Sequence, residues 1–289
     1  MITRFAPSPT GPLHLGHAYS AILAHDMARA VGGTFLLRIE DIDTTRARTE
    51  WERQIFDDLA WLGLTWDGAV MRQSDRIAKY QCALRRLWQT DGVLYPCSCS
   101  RKDIMAALSA PQEGDGLHYG PDGVIYPGTC RDVVFPDDMP PGNQAIRMNM
   151  ANVLSALNPK SICFSESGTL GEAHPKEMRF SHGDLLENVG DIVLSRKDFI
   201  GSYHLSVVLD DAAQGITHVV RGEDLFDATK IHVVLQQLLD LPTPSYHHHA
   251  LIRDDQGKRL AKRDDARAIS KYRAEGATPR DIRDMVGLI

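Results

Sequence analysis

The string Pro7-Ser8-Pro9-Thr10-Gly11-Pro12-Leu13-His14-Leu15-Gly16-His17 constrains this chain more than any other segment. Prolines at 7, 9 and 12 have no place in a central strand, so residues 7–12 must form a loop. Before the loop, residues 2–6 alternate as a short strand. After it, Ala18, Ala21, Ile22 and Ala28 recur at helical spacing until Gly32-Gly33 stops the helix. Residues 34–39 read as a buried strand ending at Glu40-Asp41. Strand, loop, helix, strand is the opening of a parallel α/β sheet.

The same string carries chemistry. Gly11 and Gly16 have P-loop separation, but His17-Ala18 stand where that loop needs Lys and Ser/Thr, so it is not a P-loop. A glycine turn feeding a helix N-terminus instead offers free N–H groups to phosphate. His14 and His17 are three apart and can lie side by side there. Gly16 lets a flat base approach the backbone. Two ordinary surface histidines would be the plainer alternative for either residue alone, though not for the whole string.

This string resembles the HIGH signature of class I aminoacyl-tRNA synthetases, with Leu15 in place of isoleucine. The preceding Arg4-Phe5-Ala6-Pro7-Ser8-Pro9-Thr10-Gly11 is similar to the glutamyl branch. The resemblance implies a Rossmann-like α/β fold and ATP as substrate, with His14, Gly16 and His17 at the nucleotide. A second motif, Arg38-Ile39-Glu40-Asp41-Ile42-Asp43, sits at the carboxyl end of a predicted parallel strand, where acids face the ligand crevice. A carboxylate there can hold an ammonium group, although strand-end acids are more often solvated. Its likeness to the glutamyl pattern RIEDTD implies that Glu40 holds the substrate α-amino group, with Arg4 and Ser8 in the same pocket.

Arg221, in His218-Val219-Val220-Arg221-Gly222-Glu223-Asp224, ends a predicted buried strand and points into the crevice. A bidentate arginine is the natural reader of a side-chain carboxylate, which favours an acidic amino acid. A salt bridge to Glu223 or Asp224 is the alternative. The resemblance assigns the glutamate contacts to Arg221 and to Tyr203. A basic loop, Lys258-Arg259-Leu260-Ala261-Lys262-Arg263, can neutralise charge on phosphates. It is similar to the KMSKS loop, with Lys262 kept, Arg259 replacing the first lysine and Ala261 the serine. The resemblance thus makes His14, His17 and Lys262 the catalytic group, acting with Mg²⁺.

Residues 96 to about 180 differ in texture, with many prolines and four of the five cysteines. Cys97-Ser98-Cys99 and Cys130 supply three soft ligands for tetrahedral zinc. The fourth ligand stays open among His118, Tyr119, Tyr126 and an aspartate. Ligand basicity favours His118, because a phenolate must lose a proton near pKa ~10. Resemblance to the C-x-C … Y-x-x-x-C pattern of a glutamyl-synthetase relative favours Tyr126. Cys82, on a predicted helix, and Cys163, in an apolar stretch, are expected in the core.

Further elements follow the same reasoning. Residues 49–62 and 75–89 are amphipathic helices, 205–209 and 217–220 strands, and 231–239 a helix. A loop-rich stretch follows Pro242 and Pro244, then helices run to the end. The expected organisation is a first half of the catalytic domain (1–95), a zinc-containing insertion (96–190), a second half (191–245), and the basic loop with short C-terminal helices (246–289).

A net charge of −6 excludes a general nucleic-acid coat, though Arg253, Lys258, Arg259, Lys262, Arg263, Arg267, Lys271 and Arg273 allow a local basic face. No apolar run reaches a membrane span, and the N-terminus lacks a signal peptide, so a cytoplasmic location is expected. Only residues 264–289 follow Arg263, too few for an anticodon-binding domain. A stand-alone catalytic half with this cysteine pattern resembles the glutamyl-queuosine tRNA(Asp) synthetase family. That implies tRNA-independent activation of L-glutamate by a protein expected to be a monomer. Transfer to queuosine on the anticodon stem-loop of tRNA(Asp) would follow. A shortened glutamyl-tRNA synthetase charging a 3′ end, an enzyme loading a carrier protein, and a non-catalytic tRNA-binding paralogue are the rivals.

Overall fold

The computed structural model describes residues 1–108, 118–133, 140–157, 161–169, 176–197, 201–252 and 267–288. Strand β1 (Ile2–Phe5) leads through the proline loop into α1 (Leu15–Ala30), then β2 (Thr34–Ile39), α2 (Thr49–Trp61), β3 (Met71–Arg72) and α3 (Ile77–Trp88). Next come β4 (Leu94–Cys97), α4 (Arg101–Leu108), β5 (Tyr119–Gly120), β6 (Gly123–Val124), β7 (Ala145–Met148) and α5 (Met150–Leu157). They are followed by β8 (Ile162–Glu166), β9 (Lys176–Phe180), α6 (His182–Asn188), β10 (Ile192–Ser195) and α7 (Tyr203–Ala213). Last are β11 (His218–Gly222), α8 (Phe226–Leu238), β12 (Ser245–His249), α9 (Ile269–Ala274) and α10 (Pro279–Met285).

Two sheets carry the α/β framework. Strands β1, β2 and β3 are mutually parallel, in that order, and a second sheet runs β11-β12-β8-β9 with only its last pair antiparallel. They meet between β1 and β11: the Thr217 N–H donates to the Ile2 carbonyl at 3.0 Å, and the Ile2 N–H to Thr217 Oγ1 at 2.8 Å. From this seam the first half of the chain builds one way and the second half the other. Such a reversal opens a crevice at the carboxyl ends of the strands. One apolar core packs around β2, α1 and α2, and another around α5, α7, α8 and β8.

A third, antiparallel sheet, β10-β7-β4, pairs strands from both sides of the compositionally distinct region, and β8 from within it joins β12. Residues 96–190 therefore share strands with both neighbours.

Two sequence expectations are corrected. Residues 205–209 lie inside helix α7, not in a strand. A five-residue apolar run fits a buried helix as well as a buried strand. The signal against a strand was Ser202, whose side chain caps the helix by accepting from the Leu205 N–H at 3.3 Å. After Pro244 the chain forms β12, a central strand between β11 and β8, rather than a loop. Three consecutive histidines hid it, because a strand buried on both faces is expected to be apolar. Cys82 is exposed and Cys163 half-buried, so neither is the core residue expected. Among the described residues no helix is long and apolar enough to cross a membrane.

Candidate active site

A cavity of about 750 Å³ opens at the carboxyl ends of β1, β2 and β11. Arg4, Ser8, His14, Gly16, His17, Glu40, Tyr203 and Arg221 all line it. Lys262, with Arg259 and Ala261, lies outside the described residues.

At one end of the cavity, α1 begins with a capping box built from histidines. His14 Nδ1 accepts from the Gly16 N–H at 3.1 Å, and His17 Nδ1 accepts from the His14 N–H at 3.2 Å. An imidazole whose Nδ1 accepts carries its proton on Nε2 when neutral. Both rings, with centroids 3.8 Å apart, therefore carry the proton on Nε2 when neutral, at a helix N-terminus, where anions are favoured. The glycine at 16 serves this cap directly. A Cβ there would stand 3.1 Å from His14 Cε1, so the side-chain-free position makes room for the imidazole.

The other end of the cavity rests on a buried ion network. Arg38 is fully buried; its Nη1 donates to Asp211 Oδ1 at 2.7 Å and its Nη2 to Glu40 Oε1 at 3.1 Å. Arg4 donates to both Asp211 oxygens, at 2.9 and 3.3 Å. Desolvation raises the Glu40 pKa against the lowering pull of Arg38 and Arg4, which leaves a carboxylate improved by any further cation. The adjacent Asp210 takes Arg76 at 2.6 Å, Tyr80 at 2.8 Å and Gln73 at 3.0 Å. These contacts bind β1, β2 and α3 to α7 behind the cavity.

Arg221 makes no ion pair with Glu223 or Asp224 among the described residues. Its partners are neutral: His248 Nε2 (3.2 Å), His232 Nδ1 (3.2 Å), the Leu225 carbonyl (3.2 Å) and Thr229 Oγ1 (2.5 Å). A guanidinium 5% exposed, at the wall of a cavity, with no contacting carboxylate among the described residues is primed for an anion from outside. Four of its five N–H groups are engaged, so the remaining Nη1 N–H, rather than a free two-pronged fork, faces the newcomer. Tyr203, the first residue of α7, stands beside it with its ring edge-on to His232. Glu166, His204, Thr229, His232 and His248 around Arg221 were not nominated from sequence. Alternation in Tyr246-His247-His248 was the available signal.

The cysteine cluster forms as expected. Cys97, Cys99 and Cys130 Sγ atoms lie within 4.8 Å of one another, with Cys99 and Cys130 3.4 Å apart. Tyr126 Oη lies 3.4 Å from both Cys97 and Cys99 Sγ. Zinc at ~2.3 Å from each sulfur would hold its thiolates roughly 3.8 Å apart, so the donor set suits a tetrahedral cation. His118 is exposed and is not in the cluster. Arg147 donates to Cys97 Sγ at 3.4 Å and lies 3.9 Å over the Tyr126 ring, placing positive charge beside thiolate ligands.

The C-terminal basic residues are partly committed within the chain. Arg267 pairs with Glu275 and lies over the Tyr272 ring, and Arg273 faces the Trp61 ring. Of the others, 253–263 lie outside the described residues.

A parallel α/β sheet with a histidine-capped helix at its switch point defines a class I synthetase catalytic domain. The family model for class I tRNA synthetases (E and Q), catalytic domain, matches residues 1–117 and 179–289. A protein named glutamyl-Q tRNA(Asp) synthetase from Rhodobacter capsulatus is 62% identical over 288 residues, covering 100% of both chains. A protein of the same name from Geobacter sulfurreducens is 40% identical over 94% of this chain and 79% of its own. The solved glutamate tRNA ligase from Elizabethkingia meningosepticum, in complex with its amino acid, has a TM-score of 0.76 at 27% identity; this chain spans 60% of its length. The chain belongs to the class I tRNA synthetases of the E and Q type and, within them, to the glutamyl-Q tRNA(Asp) synthetase family. It is a ligase.

Proposed function

We propose that this protein activates L-glutamate with ATP in the absence of tRNA and transfers it to queuosine at the wobble position of tRNA(Asp). The observation that carries the reading is Arg221: a buried cation without a contacting carboxylate among the described residues, in a chain 62% identical along its whole length to a protein named glutamyl-Q tRNA(Asp) synthetase.

In this reading a carboxylate oxygen of glutamate attacks the α-phosphorus of ATP, forming the mixed anhydride and expelling pyrophosphate. The attacking group is already ionised, so no general base is required. Rate enhancement comes from positioning and from donors aimed at the phosphates: the Nε2–H groups of His14 and His17, with Lys262, and Mg²⁺ accompanying ATP. Glu40 holds the α-ammonium group, with Arg4 and Ser8 completing the wall, while Arg221 and Tyr203 hold the side-chain carboxylate. A hydroxyl of the queuosine cyclopentene ring then attacks the activated carbonyl. An ester forms, AMP leaves, and the hydroxyl proton passes to solvent. Single-stranded loop bases can be splayed into such a cavity, which suits a wobble nucleotide. Zinc on Cys97, Cys99, Cys130 and Tyr126 holds the insertion together and takes no part in the chemistry. The proposal includes a monomer acting in the cytoplasm.

The test has two arms. Pyrophosphate exchange into ATP should depend on glutamate with no RNA present. Labelled glutamate should load onto tRNA(Asp) carrying queuosine and not onto the same tRNA lacking it. Periodate cleaves the free cis-diols of both the queuosine ring and the 3′ ribose, so the deciding comparison is the tRNA that lacks queuosine but keeps an intact 3′ end. Equal loading of the unmodified tRNA would mean that the protein charges a 3′ end.

A further inference from the structure

Two carboxylates, the buried Glu166 and the exposed Asp122, lie on either side of Arg221, and neither touches it. Arginine only donates hydrogen bonds, so each histidine it meets must present a lone pair. Arg221 Nε donates to His248 Nε2; the His248 proton therefore sits on Nδ1, which donates to Glu166 Oε2 at 2.5 Å. The other Glu166 oxygen accepts from the backbone N–H groups of Gly168 (2.7 Å) and His248 (3.0 Å). On the opposite side Arg221 Nη1 donates to His232 Nδ1, so His232 is protonated on Nε2 and donates to His204 Nδ1 at 3.2 Å. His204 is then protonated on Nε2, 3.6 Å from Asp122 Oδ1 in the β5–β6 turn. Each donor from Arg221 as far as His232 meets an acceptor, His204 Nε2 lies at ion-pair distance from Asp122, and each histidine has one permitted tautomer.

We propose that Glu166, His248, His232 and His204 are positioning residues that lock the Arg221 guanidinium in place and keep its counter-charges one or two imidazole rings away. The proposal rests on the reading of Arg221 as the contact to the glutamate side chain. A carboxylate directly on Arg221 would compete with substrate for the same cation. Bare burial would leave five N–H groups without partners and a mobile side chain. Neutral acceptors resolve both problems: they hold the guanidinium in register and leave its charge for the incoming carboxylate. Desolvation, the largest influence on both rings, lowers His232 well below the ordinary imidazole range and also lowers His248, which keeps the two neutral.

Glu166→Gln is a sharp probe. The two backbone N–H groups require the amide oxygen on their side, so the amide NH₂ must face His248 Nδ1. That forces the His248 proton onto Nε2, donor against donor with Arg221 Nε. In pyrophosphate exchange, E166Q should raise the KM for glutamate at least about tenfold, with kcat and the KM for ATP within about twofold. Thermal melting of E166Q checks its fold. In parallel, ¹⁵N spectra of histidine-labelled wild-type protein should show His248 protonated on Nδ1 and His232 and His204 on Nε2. An unchanged glutamate KM in folded E166Q overturns the proposal. If E166Q does not fold, the spectra decide: any of the three histidines in the other tautomer, or doubly protonated at neutral pH, overturns it. Arg221→Ala separates the two levels. If R221A leaves the glutamate KM unchanged, the parent reading falls; if R221A raises it and E166Q does not, the lock alone falls.

Discussion

Arg38 and Asp211, 173 positions apart in the chain, meet at 2.7 Å in a site where Arg38 is fully buried. Asp211 serves Arg4 as well, so one carboxylate on α7 neutralises guanidinium groups from β1 and β2. Asp211→Ala would take the carboxylate partner from buried Arg4 and leave buried Arg38 with Glu40 as its remaining one. Breaking a buried pair from one side costs about 3–5 kcal/mol. Denaturant unfolding of D211A should show a loss of at least that size, and a change below about 1 kcal/mol would mean that the network does not hold the halves together.

Arg221→Ala should weaken glutamate far more than ATP. Removing one side of a buried charged contact costs about 2–5 kcal/mol, read as the ratio of kcat/KM for glutamate between wild type and variant. Arg221→Lys should fail as well. A lysine cannot supply the separate N–H groups that His248, His232, Leu225 and Thr229 receive. Normal discrimination against glutamine in R221K would show that charge alone suffices.

Protein purified without chelator should hold about one zinc per chain. Tyr126→Phe should lower retention, because its hydroxyl stands 3.4 Å from two of the sulfurs, while His118→Ala should leave the metal in place. Metal analysis of both variants after dialysis distinguishes them. Retention in Y126F with loss in H118A would assign the fourth ligand to His118.

Asp58 gives a pH prediction that does not involve the active site. Its side chain, on α2, is buried with one oxygen lacking a hydrogen-bond partner. Desolvation pushes its pKa up to about 6, only partly countered by Arg273. Because the folded value is raised, the wild-type protein has its full stability below the unfolded value near 4 and loses stability as pH rises through about 6. Asp58→Asn removes the charge and should raise the melting temperature at pH 8 by several degrees, a gain of up to about 3 kcal/mol. The gain should disappear below pH ~4. An equal gain at both pH values would exclude ionisation as its cause.

The first strand, the proline loop, helix α1 and β2 were legible in the sequence, as was the convergence of Cys97, Cys99 and Cys130. In each case the information is local. Proline fixes φ, helical and strand periods mark the buried faces, and cysteines in a C-x-C spacing need only one folded loop to bring in the third. The place of Arg221 at the cavity wall was legible because it lies near the carboxyl end of an apolar strand.

Tertiary structure alone decided the rest. Residues 205–209 could be helix or strand until α7 was packed with Asp210 and Asp211 turned toward arginines from distant segments. The strand β12 is polar in composition and became a central strand because its histidines found partners in buried Glu166 and Arg221 and half-buried Ser20. The proton on each of those rings is set by what faces it across the fold, and sequence spacing carries no information about partners 82 or 229 positions away. The amino-acid sequence by itself picked out residues that converge on one cavity and the three cysteines that form one cluster. The fold decided which of their hydrogen-bonding groups remain for substrate, because that depends on the geometry of burial.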